Sequence, residues 1–118
     1  MDYKILLEKM MSFRHDRNWE QFHDPKNLSM ALSIEAGELM EHFLWISKED
    51  VTNFSDEKKQ EISEEISDVF IYLSYLAHGL GIDIEKSVER KLELNAKKYP
   101  IEKSSGCCLK ANKSNPVG

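Results

Sequence analysis

The sequence has almost no cysteine, no long apolar run, no strand pattern and no excess of positive charge. Each absence excludes something. The only cysteines among 118 residues, Cys107 and Cys108, are adjacent near the end and cannot staple a fold, so a reducing cytoplasm is the expected setting. No apolar stretch approaches the roughly 18 residues of a membrane span, and the N-terminus lacks a signal-peptide pattern. Membrane attachment is therefore not expected. Lys and Arg number 16 against 21 Asp and Glu, a net charge of −5. That balance argues against nucleic-acid backbone binding as the main task. No internal repeat is visible, and the length suffices for one domain with one core.

What is present is helical spacing. Asp2 can cap a first helix in which Ile5, Leu6, Met10 and Phe13 keep an apolar period, fading near Asp16 to Asn18. Trp19 to Lys26 read as a loop. Asp24 followed by Pro25 opens a second helix reaching about Ile46, the proline suiting the first turn. Ser47 starts a short helical turn that Phe54 packs down. Ser55, with Asp56 and Glu57 in the first turn, opens a third helix that ends at Gly79-Leu80-Gly81. Asp83 caps a fourth, which stops before Pro100 because a residue preceding proline leaves the α region. The expectation is an all-α domain over residues 1–103. Residues 104–118 are small and polar, without apolar period, and read as a disordered tail whose only distinctive chemistry is the cysteine pair.

Two carboxylate pairs of one design dominate the middle of the chain: Glu35 with Glu38, and Glu65 with Asp68. Acids three apart share a helix face and repel, costing an isolated helix about 0.2–0.5 kcal/mol per pair. At about 100° per residue, Leu28, Leu32, Glu35, Leu39 and His42 fall in one stripe, with Glu38 beside it. On the third helix Ile62, Val69, Leu73 and Leu76 form the expected core stripe, with Glu61, Glu65, Asp68 and Tyr72 along its flank. Solvated surface acids are the ordinary reading of such residues, but here Glu41, Glu57 and Glu64 already serve the outside. A divalent cation is the economical compensation for acids bordering a buried face. His42 could join it, but a hard divalent cation prefers oxygen ligands and a plain hydrogen-bonding role is expected. His23 is given no role.

These residues carry a resemblance. Glu35-Ala36-Gly37-Glu38 followed by Glu65-Ile66-Ser67-Asp68 resembles the ExxE and ExxD signature of the all-α nucleotide pyrophosphohydrolases, the MazG-like superfamily. The segments from Asn18 to Leu28 and from Ile66 to Tyr72 are similar to its dCTP pyrophosphatase branch, as are Lys91 to Asn95 and Tyr99-Pro100. The likeness covers roughly residues 10 to 100, in order. It implies a four-helix MazG-like bundle that hydrolyses a nucleoside triphosphate between the α and β phosphates, releasing a monophosphate and pyrophosphate. It further implies that Glu35, Glu38, Glu65 and Asp68 hold Mg²⁺, with Mn²⁺ as an alternative. Hard carboxylate oxygens suit such an ion, and the ion reverses the sign of a field that would otherwise repel a polyphosphate.

The remaining expectations follow from the same likeness. Lys91 and Asn95, four apart, can face the phosphates together, and Tyr99 joins the substrate contacts. Trp19, Trp45 and Tyr72 can stack on a base, although aromatic residues in a helical domain are often plain core. Three departures weaken the choice of base but not the metal site: Asn18 replaces a common acid, Leu44 a common Gln, and Met10 stands where a pocket histidine can occur. The expected role is house-cleaning of dCTP or a 5-modified relative. A dUTP or phosphoribosyl-ATP pyrophosphohydrolase of the same fold remains open, as does a non-catalytic helical module. Finally, Phe70, Ile71 and Tyr75 are expected to project away from the third helix's core stripe, which calls for cover by a second copy. The resemblance implies a homotetramer built as a pair of dimers, with pocket residues shared between subunits.

Overall fold

A computed structural model describes residues 1–106, and every described element of regular structure is helical. The helices are α1 (Tyr3–Asp16), α2 (Pro25–Glu41), α3 (Lys48–Val51), α4 (Asp56–Gly79), α5 (Ile84–Lys98) and α6 (Ile101–Ser104), with a 3-10 turn at Glu20–Phe22 before α2. Local chemistry sets most of the boundaries. The side chains of Asp2, Asp24, Ser47, Ser55 and Asp83 each accept a hydrogen bond from the backbone N–H three residues on, at 2.9–3.1 Å. Such caps satisfy donors that a helix start leaves open. At the end of α4, Gly81 takes φ +69°, and the Ile82 N–H reaches back to the Ala77 carbonyl at 2.8 Å.

The chain divides into two compact units, Met1–Ile82 and Asp83–Gly118. In the first, α4 packs along α2 and also contacts α1. Its core is Met10, Leu28 and Tyr75, with Leu28 only 1% exposed. The Tyr75 hydroxyl donates to the Met10 carbonyl at 2.7 Å, a buried bond across 65 residues of sequence. Tyr3 meets Phe70 edge-on, their ring centroids 5.7 Å apart. The Arg14 guanidinium, buried beside them, lies 4.5 Å from the Tyr75 ring centre. In the second unit α5 leaves Val88 and Leu92 exposed on one face, and α6 follows Pro100.

Three expectations need correction. The second helix ends at Glu41 and not near Ile46. From His42 to Leu44 the N–H groups bond to carbonyls three residues back, and Trp45 lies at φ +64°. Those shorter bonds tighten the chain, and a left-handed residue cannot continue the helix. The expected loop after α1 contains a 3-10 turn, reached through Asn18 at φ +53°, a conformation asparagine tolerates better than most residues. Tyr75 points inward, 3% exposed, whereas Leu73 of the expected core stripe is 41% exposed. Packing against α1 rotated the buried face of α4, and Phe70 and Ile71 are partly covered by the same contact. The short α6 ends at Ser104. Residues 107–118 of the expected tail, with Cys107 and Cys108, lie outside the described residues.

Candidate active site

Helices α2 and α4 place their acids face to face. One carboxylate oxygen from each of Glu35, Glu38 and Glu65 lies within 4.8 Å of the others. Within each pair the helix does this automatically, since residues three apart stand one turn above each other. Between the pairs it depends on the α2–α4 packing, anchored by Leu28 on the stripe that also carries Glu35. Glu35 Oε2 and Glu65 Oε2 are buried and accept no hydrogen bond among the described residues. Burial pushes the Glu35 carboxyl up to about 7, reinforced by the neighbouring carboxylates of Glu38, Asp68 and Glu65. Buried acceptor oxygens with no donor, all of them hard carboxylates, fit a small divalent cation better than they fit one another.

Asp68 stands beside this cluster and also lines a cavity of about 440 Å³. From α1 come Lys9, Met10 and Phe13; the connecting segment adds Trp19 and His23; α4 adds Asp68, Ile71, Tyr72 and Tyr75. The rings pack edge to face at Phe13–Trp19 and His23–Tyr72 and tilted at the other two contacts. Trp19 is 5.7 Å from Phe13 and 6.4 Å from His23, and His23 is 6.2 Å from Tyr72 and 5.4 Å from Tyr75. Burial raises the Tyr72 hydroxyl above its ordinary pKa, and the acids Glu35, Asp68 and Glu38 raise it further, so it stays protonated. An apolar chamber of this size with a few polar groups at its edge is the usual shape of a small-ligand site. Here the one acid in the chamber wall is Asp68, whose charge also acts on Glu35 of the carboxylate cluster.

The sequence profile of the MazG-like family matches residues 30–111. The chain belongs to the MazG-like family. Among its relatives, dCTP pyrophosphatase 1 of Bos taurus is 39% identical over 100 residues, covering 83% of this chain and 59% of that protein. The Homo sapiens protein of the same name is 40% identical over 90 residues, covering 75% and 53% respectively. The chain thus spans a little over half the length of the curated relatives it matches. A pyrophosphatase from Archaeoglobus fulgidus has a solved structure with a TM-score of 0.77 and 41% identity, covering 82% of this chain and 91% of that one.

In this MazG-like chain the first unit clusters Glu35, Glu38 and Glu65, and places Asp68, Trp19 and Tyr72 in the cavity wall. Trp45 does not join the cavity; it sits in the turn after α2, 99% exposed. His42 caps α2 and is not part of the carboxylate cluster. Lys91, Asn95 and Tyr99 belong to the second unit, where Tyr99 closes α5 with its N–H on the Asn95 carbonyl at 2.7 Å. Sequence reasoning passed over Lys9, Phe13, His23 and Tyr75 as cavity residues. Lys9 and Phe13 stand one helical turn apart, and Tyr75 follows Tyr72 by three, so their spacing held the signal. It became readable only once α1 was known to lie on α4.

Proposed function

We propose that this MazG-like chain is a nucleoside triphosphate pyrophosphohydrolase, cleaving between the α and β phosphates to release a nucleoside monophosphate and pyrophosphate. The observation that carries this is Asp68, which lines the aromatic cavity and borders the carboxylate cluster at once. A base in the cavity would leave its phosphates at the acids. Glu35, Glu38, Glu65 and Asp68 are the residues that would hold Mg²⁺, or Mn²⁺ in its place. Such an ion neutralises phosphate charge and makes a bound water more acidic. Trp19 and Tyr72 then serve as stacking surfaces for the base. Lys91, Asn95 and Tyr99 are assigned to substrate contacts on the strength of the motif alone.

For the substrate we choose pyrimidine deoxynucleotides, dCTP or a 5-modified form, cleared as a house-cleaning function. The names of the bovine and human relatives support that choice, and Met10 in the cavity wall is a departure within it. The assembly we propose is a homotetramer, a pair of dimers. Supporting it, α2 leaves Met30 and Ile34 exposed one turn apart, and α4 leaves Ile66 and Leu73 exposed two turns apart. The test is a panel of canonical and modified nucleoside triphosphates, including dUTP and phosphoribosyl-ATP, with Mg²⁺. Equimolar pyrophosphate and monophosphate from a pyrimidine triphosphate are expected. Phosphate release in place of pyrophosphate would refute the bond assignment, and no turnover together with no Mg²⁺ binding would point to a helical interaction module.

A further inference from the structure

His23 is a polar ring in the cavity wall for which the hydrolysis reading has no task. It packs among Trp19, Tyr72 and Tyr75, and neither ring nitrogen has a hydrogen-bond partner among the described residues. Nδ1 is sealed from solvent, which leaves Nε2 as the nitrogen open to the cavity that the ring lines. Burial lowers the His23 pKa, the Arg14 guanidinium lowers it further, and Glu20 only partly opposes them. The ring is therefore neutral, with one N–H and one bare lone pair. A proton on sealed Nδ1 would be an orphaned buried donor, the costlier arrangement; a proton on Nε2 leaves only a lone pair unmet. The stable tautomer presents Nε2–H to the cavity.

We propose that His23 is the base-reading residue of this cavity, donating Nε2–H to a ring carbonyl oxygen of a bound pyrimidine. This rests on the reading of the cavity as the base site. Cytosine, uracil and thymine all carry a carbonyl at the 2-position and adenine carries none. His23 thus separates oxo-pyrimidines from adenine while remaining indifferent between cytosine and uracil. The neutral ring suits that task, because its donor does not depend on protonation near neutral pH. Three rings pack around it, which limits the side-chain freedom lost on binding.

Two measurements on the full chain test this. In the first, the protein carries ¹⁵N-labelled histidine, and the ring resonances of His23 are assigned by comparison with H23Q. The Nε2–H tautomer is expected, with an Nε2 shift on adding dCMP and little on adding dAMP. In the second, kcat and KM are compared for dCTP, dUTP and dATP. H23F, which keeps a ring in the wall, should raise KM for dCTP and dUTP about tenfold, the size of one lost hydrogen bond, with kcat nearly unchanged. KM for dATP should stay put, and H23Q, which restores an N–H donor, should recover part of the loss. An Nδ1–H tautomer, an Nε2 resonance blind to dCMP, or an equal KM loss for dATP would overturn the proposal. A wild-type chain that hydrolyses nothing while dCMP still moves His23 Nε2 would refute the hydrolysis reading and uphold base reading. Robust wild-type turnover with unchanged KM in H23F would do the reverse.

Discussion

Replacing Glu35 by Gln isolates the electrostatic cost of bringing the carboxylates together. In the folded chain this carboxyl titrates near 7 against an ordinary 4.5, so the folded state holds the proton more tightly than the unfolded one. Stability from this group is complete below about pH 4.5 and is lost as pH rises through about 7. Full ionisation would cost at most about 3 kcal/mol, and solvent beside the cluster reduces that to roughly 1–2 kcal/mol. For a domain of this size the corresponding change in Tm is roughly 5–10 °C. Gln keeps the shape without the charge. In chelator, the Tm of E35Q should match wild type below about pH 4 and exceed it by that amount at pH 8. Reading the difference between the two proteins removes the contributions of every other titrating group. Mg²⁺ should close the gap by stabilising the wild type, by about 2.7 kcal/mol at a hundredfold excess over Kd. Differential scanning calorimetry at fixed protein concentration decides it. A gap independent of pH, or a wild type more stable than E35Q in chelator at pH 8, would refute the account of the cluster.

Four further outcomes are expected. Glu38→Ala and Asp68→Ala should each abolish hydrolysis, by at least about a thousandfold if charge stabilisation of the phosphates is lost, with helical circular dichroism intact; near-full turnover in both would defeat the metal assignment. Tyr72→Ala should raise KM and flatten discrimination among bases, with stacking worth on the order of 1–3 kcal/mol. Trp45→Ala should leave Tm unchanged because its side chain is exposed, and a rise in KM would mean that a neighbouring subunit carries Trp45 into the pocket. Light scattering coupled to size exclusion should show four copies of the 13.7 kDa chain, and Leu73→Glu should break the assembly, whereas an active species of monomer mass would show the site complete within one chain.

The sequence alone determined whatever rests on contacts within one turn. The five N-caps were readable because a side-chain oxygen meets an N–H three residues on, wherever the helix later packs. Gly81 was readable as a stop because its freedom at positive φ is its own. The pairing of Glu35 with Glu38 and of Glu65 with Asp68 follows from helical pitch in the same way. Tertiary structure decided which side of α4 is inside. Tyr75 and Leu73 are both apolar enough for a core, and only the seat of α1, with the Tyr75 hydroxyl on the Met10 carbonyl, chose between them. It also brought Glu65 within 4.8 Å of the Glu35–Glu38 pair and sealed Nδ1 of His23 among three rings. None of these has a local signature, because each is a property of surfaces from separate helices, and a periodic pattern names a helix's apolar face without naming what will cover it.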